Sequence, residues 1–215
     1  MMKKMIALLL ALAAMAAFGL AHAETLNVVP GTPLNSSVDE FIAYFDLMSS
    51  ASGYEFTWDE QATTEDQYTV RTAVSSDGSM SLKAYALDGN ICYAVAEGSS
   101  QFDPNDYEAG QKFGEWFGAS IGGITLGFYI CENGTAGLSE KMNDVLAQFQ
   151  SDLTPLTEFL SGGLSEEAVA DGKVTTTTIL GYPTGMEVAA AMSGEQVQMS
   201  LKIAVTGKDG QLSGQ

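Results

Sequence analysis

Gly118-Ala119-Ser120-Ile121-Gly122 spells G-x-S-x-G, the pattern that carries the nucleophilic serine of many esterases. A serine hydroxyl becomes a nucleophile at neutral pH only beside a base. The chain's one histidine, His22, falls in an N-terminal segment that reads as a removable signal, and no S-x-x-K places a lysine near any serine. The local order is also reversed. A nucleophile elbow turns from a strand into a helix, whereas here a helical pattern comes first and the strand-like run "ITLGFYI" follows. Ser120 is therefore not read as a nucleophile, and its glycines are expected to permit a close turn between helix and strand.

Without imidazole in the mature chain, Cys–His proteases, His-relay phosphatases and His-ligated zinc sites drop out. No G-x-x-x-x-G-K-[ST] occurs, and no strand leads into G-x-G-x-x-G. A single arginine, Arg71, makes no anion clamp by itself. No catalytic residue is assigned and no cofactor is expected.

Carboxylates are the chemistry that remains. A two-carboxylate hydrolase needs two acids about 5–10 Å apart, and Glu55, Asp59, Glu60 and Glu115 are the candidates, with no spacing that selects a pair. Calcium is the other use of hard oxygen ligands. Asp59, Glu60, Glu65 and Asp66 fall in one loop, and Asp103, Asn105, Asp106 and Glu108 in another. Neither fits the twelve-residue calcium loop, and Asp103 with Pro104 already reads as a helix start, so no metal site is assigned. Trp58, Tyr54, Tyr68 and Tyr182 lie near strand ends, where flat rings can stack on a ligand; core packing is the competing use for each. Asn35-Ser36-Ser37 and Asn133-Gly134-Thr135 match the glycosylation pattern.

The compartment follows from the N-terminus. Lys3 and Lys4 precede an uncharged apolar run from Met5 to Leu20, and Ala21-His22-Ala23 is an A-x-A cleavage site. This predicts a signal peptide over residues 1–23 and export, to the periplasm or the exterior, in a bacterial style. The mature chain, residues 24–215, keeps seven basic against 27 acidic residues, a net charge of −20. That charge repels nucleic-acid phosphates and anionic membranes, so neither is an expected partner. No later run is long enough to span a bilayer. In an oxidising compartment Cys92 and Cys131 are expected to pair. Such a disulfide would close a loop of about 40 residues and add roughly 4 kcal/mol.

The elements that must position these residues show an echo. "TLNVVPGTPLNSSVDEFIAYF" (25–45) and "TLGFYICENGTAGLSEKMNDVLAQF" (125–149) both read as strand, turn and amphipathic helix. Leu34, Val38, Phe41, Ile42, Ala43 and Phe45 match Leu138, Met142, Val145, Leu146, Ala147 and Phe149 at a constant offset. Ser36 or Ser37, and Ser139, are the expected N-caps. Each half then continues into three strands. The turns are expected at Asp77-Gly78 and Asp88-Gly89-Asn90 in the first half, and at Tyr182–Gly185 and Ser193-Gly194-Glu195 in the second. The first half adds a strand at Tyr54–Glu60 and a helix from Asp103.

The expected fold is a single α+β domain of two layers, an antiparallel sheet with helices on one face. It is built from two similar halves, 24–123 and 124–215. The order strand-helix-four strands-helix, repeated, is similar to the TATA-binding-protein-like fold. That is a likeness of topology that carries no function, and the acidic charge opposes DNA binding. The functional expectation is a secreted, soluble, non-enzymatic binding protein acting on an extracellular protein or glycan at or outside the envelope. The alternative is an extracellular carboxylate-dependent hydrolase of the glycosidase kind.

Overall fold

A computed structural model describes residues 24–51, 55–102, 121–151, 173–193 and 196–215. Among these the elements are β1 (Leu26–Val29), α1 (Val38–Ala51), β2 (Phe56–Trp58), β3 (Thr63–Glu65), β4 (Tyr68–Ser75), β5 (Met80–Leu87) and β6 (Asn90–Phe102). Then follow α2 (121–133), α3 (Leu138–Ser151), β7 (Lys173–Ile179), β8 (Tyr182–Ser193), β9 (Gln196–Thr206) and β10 (Gln211–Gly214). The fold is α+β and its sheets are antiparallel throughout.

The main sheet runs β2-β4-β5-β6-β9-β8-β7, with β3 also paired to β4. Two meanders, β4-β5-β6 and β7-β8-β9, therefore meet along their last strands, from Tyr93↔Thr206 to Phe102↔Val197. Turn chemistry sets the hairpins. Asp88 and Gly89 both adopt positive φ between β5 and β6, as a two-residue hairpin turn requires. In the second meander the positive-φ pair is Leu180-Gly181, and Ile179 pairs with Tyr182. The turn expected at Tyr182–Gly185 is thus displaced, and those four residues lie in β8. A glycine one residue earlier outcompetes the Pro-Thr-Gly signal because it accepts positive φ without strain.

Alternation sorts the strand residues onto two faces. One face holds Ala73, Met80, Leu82, Ala84, Ala94, Ala96, Val188, Met199, Leu201, Ile203 and Val205, all buried in one cluster with residues of the three helices. α1 contributes Phe41 and Phe45, α2 contributes Ile121, Ile124, Leu126, Phe128 and Cys131, and α3 contributes Val145. The start of α1 is a capping box. The Ser37 hydroxyl accepts from the Glu40 amide at 3.3 Å, and Glu40 Oε2 accepts from the Ser37 amide at 3.0 Å. Arg71 on β4 ties the helix to the sheet, 3.5 Å from Asp39 and donating to the Asp59 carbonyl at 3.2 Å. In α3 the first helical residue is Leu138, so Ser139 sits inside the first turn instead of capping it.

α2 is the main departure from the sequence reading. "ITLGFYI" is helical, not a strand. A short apolar run has no period that separates a buried strand from a buried helix. Here Ile121 and eight residues among 123–131 are buried, as befits a helix enclosed on most sides. Two of its glycines, Gly123 and Gly127, face α1. A Cβ on Gly127 would lie 2.6 Å from the Phe41 ring, and one on Gly123 would lie 3.1 Å from the Phe45 ring. The missing side chains let the two helices approach, with Phe41 edge-on to Phe128 at 5.6 Å. Gly123 and Gly127 thus serve helix packing, Gly122 meets nothing within 4 Å, and continuous helix stands where a helix-to-strand turn was expected; Ser120 itself lies outside the described residues.

The echo of β1 also breaks here. Residues 25–29 enter an extended ribbon while 125–129 are helical, so the correspondence that suggested a duplication fails at its first element. The symmetric order of the two meanders remains as a property of the sheet, and the likeness to the TATA-binding-protein-like fold is not confirmed. Cys92 and Cys131, expected to pair, are both buried and stand as free thiols in this structure. Burial raises the pKa of both, Cys131 to about 12.

Candidate functional site on the open sheet face

The other face of the sheet carries no helix among the described residues. The two-stranded ribbon β1–β10 lies on part of it, paired from Leu26↔Gly214 to Val29↔Gln211. Backbone bonds between Thr25 and Gln215 extend the pairing, at 2.8 and 3.2 Å. The sequence explains the seat of the ribbon. Gly185 on β8 has no side chain, and a Cβ there would fall 2.6 Å from Leu26 Cδ1. Ala204, opposite Gly185 in the register, keeps the trough shallow. Leu26 is buried there with Val70, Tyr85, Val95 and Ala204, and Val28, Val174 and Leu212 pack beside them. The loop after β1 is fastened by Asp209, whose carboxylate accepts from the Thr32 amide at 2.7 Å and from the Thr32 hydroxyl.

Beside the ribbon stands a tyrosine cluster. Tyr85 and Tyr93, opposite each other in the register, stack at 4.1 Å, and Tyr68 meets both edge-on. Burial, followed for Tyr85 by the hydrogen bond to Glu65, raises the pKa of both stacked phenols. Glu65 accepts from Lys83 Nζ at 2.5 Å and from the Tyr85 hydroxyl at 2.9 Å. Those two bonds, Lys83 foremost, hold its carboxyl below the usual range. Such a network fixes the rings in place.

The remainder of the open face is polar and uncovered by the ribbon. Across it the register sets Ser81, Glu97, Lys202 and Glu187 in one row, on β5, β6, β9 and β8. Lys202 Nζ lies 3.0 Å from Glu97 Oε1. Glu187 Oε2 accepts from the Leu26 amide at 2.8 Å, so the row joins the ribbon. The next row has Ser99 directly opposite Ser200, both exposed. These residues, with Thr25, Val74, Gly78, Ser79 and Gly98, line a shallow groove of about 520 Å³. Adjacent strands lie about 4.8 Å apart, so the backbones at Glu97 and Glu187, two strands apart, are separated by about 10 Å. The Ser81 hydroxyl donates to the Glu97 carbonyl at 3.5 Å, and Asp77 accepts from the Ser79 amide and hydroxyl. The groove thus presents fixed acceptors, one cation and the exposed hydroxyls of Ser99 and Ser200.

The residues singled out in the sequence are scattered. Tyr182 is fully buried against Phe128, its hydroxyl donating to Glu132 at 2.7 Å, so it belongs to the core. Trp58 packs edge-on to Phe45 and donates Nε1–H to Asp46 at 2.7 Å, on the helical side. Of the three that are described, Tyr68 alone reaches the open face; Tyr54 lies outside the described residues. Glu55, Asp59 and Glu60 are exposed around the β2 edge, and Glu115 and the acids of 103–108 lie outside the described residues. Of the first acidic loop, Glu65 is engaged by Lys83 and Tyr85, and no group of three metal-ligating side chains occurs among the described residues. Sequence reasoning missed Glu97, Glu187 and Lys202. Their signal was present only as outward positions of alternating strands, and it needed the register across four strands to become a site.

No protein-family model, no curated protein and no solved structure gives a significant match to the chain. No described helix is long and apolar enough to cross a membrane.

Proposed function

We propose that this chain is an exported, non-catalytic binding protein, and that the polar groove of the open sheet face is its ligand surface. One observation carries the reading: a single sheet face is divided between an apolar part sealed by the β1–β10 ribbon and a polar part that the ribbon leaves open. Polar side chains on a sheet face are ordinary where they merely meet water. Here they line a concavity within the usual range of small-molecule sites. Export is supported by the signal-like N-terminus and by the position of Thr25, which pairs with Gln215 two residues past the expected cleavage point. The carboxylate-hydrolase alternative rests on Glu55, Asp59, Glu60 and Glu115, of which the first three are exposed around the β2 edge and Glu115 lies outside the described residues.

The test uses Ser200→Trp, which fills the groove from an exposed position without touching the core. Wild-type and variant proteins are immobilised and exposed to secreted and cell-surface material, with calcium and then with chelator. Retention of a ligand by wild type and not by the variant, with equal thermal stability, is the expected result. Equal retention by both would remove the groove from the account.

A further inference from the structure

Resting on that reading, we infer that the ligand of the groove is a neutral, hydroxyl-rich ring, that is, one or two units of an uncharged sugar. The argument is from complementarity. Glu97 and Glu187 are acceptors, Lys202 is a donor, and Ser99 and Ser200 both donate and accept. A ring hydroxyl needs both kinds of partner within a few ångströms, and the acid–base–acid row beside a serine pair supplies them in alternation.

Other chemistries fit less well. An anion meets two carboxylates for one ammonium, on a chain whose net charge is strongly negative. A cationic group would have to displace Lys202 from Glu97 at 3.0 Å. A protein partner needs an apolar or aromatic centre to its interface. The groove offers Val74 as its one large exposed hydrophobic residue, since Met80 and Leu201 beneath it are buried. The tyrosines that might stack on a sugar lie under or beside the ribbon, outside the groove lining. Binding therefore rests on hydrogen bonds, and its dissociation constant is expected on the order of millimolar for a free sugar unit.

The experiment is a titration of the isotopically labelled protein followed by amide NMR. The probes are glucose, maltose, cellobiose and chitobiose as neutral sugars, galacturonate as an acidic one, and tetralysine as a cationic peptide. The expected result is saturable shifts at Gly98, Ser99, Ser200 and Leu201 with at least one neutral sugar, and little change with galacturonate or tetralysine. Ser200→Trp should abolish those shifts and leave the amides of the helical face unmoved. If galacturonate or tetralysine binds the groove and every neutral sugar fails, the ligand class is overturned while the groove stands. If no probe shifts the groove amides and Ser200→Trp also leaves ligand capture unchanged, both readings fall. Lys202→Ala gives a milder variant: it should weaken the sugar response several-fold with the spectrum otherwise intact.

Discussion

The two faces of the main sheet are made by the same strands and differ in what covers them. On one face, small residues at sheet positions 73, 84, 94 and 96 meet large ones on α1 and α2, and every central position is buried. On the other, the ribbon needs only Gly185 and Ala204 to seat Leu26, and the rows at Ser81–Glu187 and Ser99–Ser200 stay polar. The difference teaches where this molecule can change without unfolding. Stability is concentrated where helices press on the sheet, and the open face is free to carry recognition.

That division can be broken in order of effect. Phe128→Ala, on the enclosed helix, should cost about 3–5 kcal/mol in chemical denaturation, since it empties a site shared with Phe41 and Tyr182. Gly127→Val should cost about 1–3 kcal/mol by overpacking against Phe41. Leu26→Ala on the ribbon should cost about 2 kcal/mol, at the low end for a buried leucine because a two-stranded ribbon can settle onto the trough.

A smaller effect should appear in acid. The carboxyl of Glu65 titrates below its ordinary value when folded, so its contribution is present above about pH 4.3. It is lost as pH falls through the lower folded value. Glu65→Gln should flatten the decline of stability below about pH 4.3. The effect should be modest, because the carboxylate is 42% exposed and well screened. At the foot of the scale, Lys202→Ala should change stability by no more than about 0.5 kcal/mol while weakening ligand binding. A large stability loss there would mean that the groove row is structural.

Much of the architecture was legible in the sequence because it is local. The hairpin at Asp88-Gly89, the alternation of "MSLKAYAL" and "VQMSLKIAV", and the serine cap at Ser37 each fix their own element. What was not legible depends on distant partners. The helical state of 121–133 comes from enclosure by α1 and the sheet, which no periodicity in the seven-residue run "ITLGFYI" reveals. The C-terminal strand Gln211–Gly214 forms only because Leu26–Val29 lies opposite. Cys92 and Cys131 invited pairing by their number and compartment, and both are buried. Iodoacetamide in denaturant without reductant should label both thiols, and unlabelled cysteines would restore the disulfide. The groove was hidden for the same reason, since Glu97, Lys202 and Glu187 come from three strands and become neighbours only through their register.

The most direct test is side-chain footprinting by mass spectrometry on the free protein and on the protein carrying its captured ligand. Carbodiimide coupling reads the carboxylates and acylation reads the lysines. Glu97, Glu187 and Lys202 should react in the free protein and be protected in the complex, while Glu65 and Lys83 react equally in both. Protection centred on Glu65 and Lys83, or on the helical side at Asp39 and Glu40, with the groove residues unchanged, would contradict the account.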